Sequence, residues 1–149
     1  MGFSIGYVCE RDPTDYASNS GVHVFMVRAL EKSGNQVHLH YPNSHLFQRV
    51  VRIAFRLYAL TNSNSSMFYN SRLYALLLAQ YFKWFKALGK CDVVFVSRGS
   101  AVLASTDFGQ VPIVYTSDAT FRLLSGYNDN YKHCSPKQLA EGDLLERRA

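Results

Sequence analysis

The sequence predicts an α/β fold: a parallel sheet with helices on both faces. Three observations carry this. Short apolar runs at Phe3 to Cys9, Gln36 to Tyr41, Cys91 to Ser97 and Pro112 to Tyr115 alternate with helical patterns. The first two runs flank a single helix, and strand–helix–strand over that length is a parallel, right-handed βαβ unit. Cys91-Asp-Val-Val-Phe-Val-Ser97 is apolar on both faces, as a central parallel strand is.

Taken in order, the first strand gives way to a polar, turn-rich loop from Glu10 to Asn19. Ser20 and Gly21 open a helix running to about Ser33. Ser18, Asn19 and Ser20 are all suited to cap it, and Gly34 to end it. In the second strand Val37, Leu39 and Tyr41 share one face, and His38 and His40 read as exposed groups on an edge. His45 to Leu60 is an amphipathic helix with Arg49, Arg52 and Arg56 on one stripe, against Phe47, Val50, Val51, Ala54 and Tyr58. A polar break at Thr61 to Ser66 precedes a long helix, Met67 to Leu88. Its Leu73, Leu77, Tyr81, Trp84 and Leu88 form an apolar seam that reads as core, and Gly89 ends it. After the third strand, a short helix from about Ser100 to Ser105 leads to the fourth. Asp118 falls at the turn into a helix from Ala119 to Leu124 that stops near Gly126. Tyr127 to Ser135 reads as loop, and Pro136 to Ala149 begins a charged helix with no stop signal. Residues 1–149 are therefore expected to be one domain cut from a longer chain.

Totals bound the function classes. A chain of 149 residues, 48% hydrophobic and 18% charged, has a real core and is not disordered. Its net charge of +5 favours anionic partners without choosing among them. Three widely spaced cysteines, Cys9, Cys91 and Cys134, are not a disulfide framework and suit a reducing cytosol. No signal-peptide pattern opens the sequence, and Gly6 stands where a myristoylation motif needs Ser or Thr. The longest apolar run, Leu73 to Ala79, is too short to span a bilayer.

Several chemistries are excluded by what is missing. No Gly-x-Gly-x-x-Gly follows the first strand, no phosphate-binding Gly-Lys-Ser/Thr loop exists, and no Gly-x-Ser-x-Gly elbow appears. No His/Cys cluster has zinc spacing, and no aromatic-basic strand signature points to nucleic acid. Three loops at the carboxyl ends of strands remain: Asp12 to Gly21, Ser97-Arg98-Gly99-Ser100, and Thr116-Ser117-Asp118. In a parallel sheet such loops lie along one edge and converge on one ligand. Gly21 at a helix start lets an anion approach backbone N–H groups, or serves only as a tight entry into the helix. Arg98 suits a phosphate or carboxylate, or is simply a solvated loop arginine. Asp118, with Ser117 and Thr120 beside it, suits a ligand hydroxyl or a positive charge, or Asp118 simply caps the helix.

Three blocks resemble the amino-terminal half of retaining glycosyltransferases of family four (group 1). They are Ser20 to Val37, Cys91 to Ser97 and Pro112 to Leu124, in matching order and spacing, and the third is the most specific. The resemblance implies one half of a GT-B enzyme: a Rossmann-like, acceptor-side domain whose donor-binding partner domain lies outside this chain. It places Ser20 and Gly21 at the glycine-rich turn beside the donor phosphates and acceptor. It places Asp118 where many members carry a histidine, near the donor sugar, which makes it the catalytic candidate, with Ser20 and Gly21 binding substrate; Arg98, Ser117 and Thr120 join the expected substrate-binding set from their own loop positions. Many members have two glycines where Ser20 and Gly21 stand here.

The function implied is transfer of a sugar from a nucleotide-sugar, a substrate and not a cofactor, to the hydroxyl of a sugar or lipid-linked acceptor. No metal or nucleic acid is expected, and the chain alone is expected to be inactive without its carboxy-terminal donor domain. A cytoplasmic site is expected, with the Arg49, Arg52 and Arg56 stripe read either as a solvated face or as a peripheral membrane contact. The reading from another class is a non-catalytic α/β module that binds a nucleotide or an anionic lipid surface.

Overall fold

A computed structural model of the chain describes residues 2–17, 21–83, 90–117, 119–131 and 133–149. Among these, four strands form one sheet: β1 (Ser4–Val8), β2 (Gln36–His40), β3 (Val93–Ser97) and β4 (Ile113–Thr116). Their order is β2-β1-β3-β4, and every pairing is parallel. β1 and β3 are thus central, as the doubly apolar third run requires, and β2 is an edge. The helices are α1 (Val22–Lys32), α2 (His45–Thr61), α3 (Arg72–Lys83), α4 (Ser100–Leu103), α5 (Phe121–Tyr127) and α6 (Pro136–Arg148).

Strand alternation divides the core. Tyr7, Cys9 and Phe95 point to one face, where α1 lays Met26, Val27 and Leu30 over them. The Tyr7 and Phe95 rings stack there, 5.4 Å between centroids. Val8, Val94 and Val96 point to the other face and are fully buried against Tyr58 of α2, Leu78 of α3, Val102 of α4 and Leu145 of α6. Burying each such side chain stabilises the fold by about 1.5–3 kcal/mol as an upper estimate. Helices therefore cover both faces of a parallel sheet, and the fold is Rossmann-like.

The long helix expected at Met67 to Leu88 is divided. Ser65–Asn70 is a 3-10 turn capped by Asn64, and α3 begins only at Arg72. Ser71 makes the division: its hydroxyl donates to the Phe68 carbonyl at 2.6 Å and accepts from the Tyr74 N–H at 3.3 Å. With this start Tyr74, Ala75, Leu78 and Phe82 are buried; of the expected seam, Leu77 and Tyr81 pack half-buried against the same core and Leu73 is exposed. Trp84, Leu88 and Gly89 lie outside the described residues. α5 starts later than expected, with Thr120 as its cap: the Thr120 hydroxyl accepts from Leu123 N–H. His38 and His40 are half-buried and not exposed. His40 pairs with Val8 in register, so its ring faces the larger helical layer.

The last helix is fixed by small contacts. Ser135 and Gln138 form a reciprocal capping box at its start. Further along, a Cβ at buried Gly142 would sit inside the ring of buried Phe121. Alanine there gains about 1 kcal/mol of helix propensity and loses more to overpacking, about 2–3 kcal/mol. Gly142→Ala is expected to lower stability by about 1–2 kcal/mol in urea unfolding, and adding Phe121→Leu to recover part of it. A Gly142→Ala chain more stable than wild type would mean that the Phe121 ring has room to move.

Candidate functional site

At the carboxyl ends of β1 and β3 a cleft of about 510 Å³ opens. Glu10 and Arg11 enter it just beyond β1, Ser97 and Arg98 from the end of β3, and His23 from the first turn of α1. Tyr69, Tyr74, Asn130 and Tyr131 also line it. A second cavity of about 520 Å³ adjoins it and shares Glu10, Arg11, Tyr69 and Tyr74. Glu10 therefore stands between the two.

Sheet topology explains why these residues meet. β1 and β3 are neighbours and parallel, so the residues that follow them emerge side by side. The Arg98 N–H donates to the Thr116 carbonyl at 2.9 Å, which ties the β3 turn to the end of β4. Arg98 takes a left-handed φ of 55°, a conformation that costs a non-glycine residue about 1 kcal/mol or more. Next to it, a Cβ on Gly99 would stand 2.9 Å from Val96 Cγ1, so the turn needs glycine there. Gly21 also needs its residue type: it is the N-cap of α1 at φ 75°.

Burial sets the charges. The half-buried Glu10 carboxyl is pushed up from 4.5 to about 8 by desolvation, against the pull of Arg11, a hydrogen bond to Tyr74 and Arg98. Glu10 thus carries a proton at neutral pH and offers both a donor and an acceptor. Tyr74 is raised as well, first by burial and then by the Glu10 charge. His23 is lowered by burial and by Arg98, so its ring is neutral at pH 7. Its Nδ1 lies 2.8 Å from the Tyr7 hydroxyl, whose own pKa burial pushes up to about 12. A neutral glutamic acid and a neutral imidazole beside two guanidiniums make a cleft with net positive charge and many hydroxyl partners. Such a site suits a polyhydroxylated ligand that carries an anionic group.

Among the expected site residues, Arg98 lines the cleft, and Gly21 caps the helix that brings His23 to it. Ser117 is exposed, and its hydroxyl donates to the Ala119 carbonyl at 2.8 Å. Thr120 is exposed and engaged as the cap of α5. Ser20 and Asp118 lie outside the described residues. Glu10, His23 and Tyr74 were not singled out from the sequence. Glu10 had one legible signal, a carboxylate immediately past an apolar strand; His23 and Tyr74 had none. Among the described residues no group of three or more His, Cys, Asp or Glu side chains is placed to hold a metal ion. Comparison with protein-family models, with curated proteins and with solved structures finds no match for the chain.

Proposed function

We propose that this chain is the acceptor-side domain of a retaining sugar transferase, working with a donor-binding domain outside residues 1–149. The observation that supports it most is the cleft beyond β1 and β3, which presents Arg11, Arg98 and a protonated Glu10 together. In this reading the acceptor lies in the cleft. Glu10 and Tyr74 hold its hydroxyls, while Arg98 holds an acidic group on the acceptor or the donor diphosphate. Asp118 orients the reacting sugar hydroxyl, and the transfer itself awaits the donor half.

The test is binding of sugar phosphates and nucleotide-sugars to the chain, followed by nucleotide release by the chain joined to its donor domain. Arg98→Ala is expected to weaken binding of a phosphorylated ligand about tenfold, with unfolding little changed. Donor-dependent release that collapses in Asp118→Asn would support the transferase reading. Sugar transfer by residues 1–149 alone would overturn the division of labour. Nucleotide binding with no release from any donor would favour a non-catalytic binding module.

A further inference from the structure

α2 has two apolar faces, and only one of them meets the core. Phe47, Val51, Ala54, Phe55 and Tyr58 pack inward. Leu46, Val50, Ile53, Leu57 and Leu60 point outward and are 71%, 41%, 59%, 60% and 82% exposed. Val50, grouped in the sequence with the inward set, belongs to this outer stripe. The spacing of four, three, four and three keeps all five within an arc of about 80°. Such a stripe amounts to several hundred Å² of contiguous apolar surface, at the limit of what a free surface ordinarily shows. Arg49, Arg52 and Arg56 run along one border of it, all exposed, and the helix contains no acidic residue.

We propose that this outer face of α2 docks on an anionic lipid bilayer, with the helix lying in the interface plane. Charge selects the occupant. A second copy of the chain would set three arginines against three more with no carboxylate from either helix between them. An acidic protein surface would pair the guanidiniums and leave the leucines uncovered. A bilayer surface meets both needs, since the acyl boundary takes the apolar stripe and headgroup phosphates take the arginines. Among the described residues no helix is long and apolar enough to cross a membrane, so the contact is with one surface. The inference does not depend on sugar transfer, because docking is read with no donor or acceptor present.

The experiment is sedimentation of the chain with vesicles of phosphatidylcholine alone and of phosphatidylcholine mixed with phosphatidylglycerol. Binding is expected only to the mixed vesicles, and to weaken as salt is raised. Two variants divide the contributions: Ile53→Gln/Leu57→Gln removes apolar area, and Arg49→Gln/Arg56→Gln removes charge while sparing Arg52, which lines the second cavity. Each is expected to lower vesicle affinity by about tenfold or more, with an unchanged circular dichroism spectrum because every altered side chain is exposed. No binding of wild type to the mixed vesicles would overturn the proposal. So would equal binding by both variants, or a solution dimer that Ile53→Gln/Leu57→Gln dissolves without any change at the vesicle.

Discussion

Glu10→Gln is expected to make the fold more stable than wild type at mildly alkaline pH and equal to it in acid. The sign follows from proton binding. The Glu10 carboxyl is held at about 8 in the folded chain and 4.5 in the unfolded one. Between these values the folded state binds more protons, so stability falls as pH rises through that window. Below it the carboxyl is neutral in both states and the stability is fully present. Above it the folded chain holds an ionised carboxylate in a desolvated place. Glutamine never ionises, and it keeps the shape and one hydrogen bond toward Tyr74. Glu10 keeps part of its surface open to the cleft, where solvent screens the ionised form, so the gain is about 2–4 kcal/mol. His23 and His40, both lowered by burial, lose stability toward acid, but do so equally in the two chains and cancel in the difference. Urea unfolding of both chains at each end of the window checks this. A constant difference across pH would mean that Glu10 ionises freely in the folded state, and the protonated donor in the cleft would be lost with it.

The same residue marks the limit of what the sequence makes legible. Strands could be read because a buried parallel strand must be apolar at nearly every position, and Val94 to Val96 are. Arg98 could be placed at the cleft because a loop after a central strand opens on the sheet edge where ligands collect. Glu10 sits in a loop just as well placed, yet its neighbours Arg11 and Asp12 make it read as one more solvated charge. Its hydrogen-bond partner is Tyr74, on a helix far along the chain, and no local pattern announces that pairing. The phase of α3 was hidden for a related reason. Arg72 to Lys83 is apolar almost all round, so a helical period does not fix the most buried line: Tyr74, Ala75, Leu78 and Phe82 are buried, and Leu77 and Tyr81 of the expected seam flank them. The outer stripe of α2 was concealed by the inner one, since both are apolar and only the packing against the sheet separates them.

Gln138→Leu tests whether the wall of the cleft is held by one buried amide. Gln138 is 1% exposed and bonded at both ends of its side chain. Its Nε2 donates to the Asn64 carbonyl at 2.7 Å and to the Tyr58 hydroxyl at 3.1 Å. Its Oε1 accepts from the Ser63 hydroxyl at 2.9 Å and from the Ser135 N–H at 3.0 Å. Leucine fits the volume and removes all four bonds. Each buried group left without a partner costs about 1–3 kcal/mol, and part of the loss is recovered by apolar burial of the leucine. The expected destabilisation is about 3 kcal/mol or more in urea unfolding, larger than the loss of the capping box alone, about 1 kcal/mol. The consequence reaches the cleft through Asn64, whose amide donates to the Asn130 carbonyl at 2.9 Å beside Tyr131. Gln138→Leu should therefore weaken ligand binding beyond what Ser135→Ala does, even where both chains remain folded. A cycle with Asn64→Ala separates the two routes: strong coupling places the effect in the shared network, and simple additivity would confine it to the start of α6.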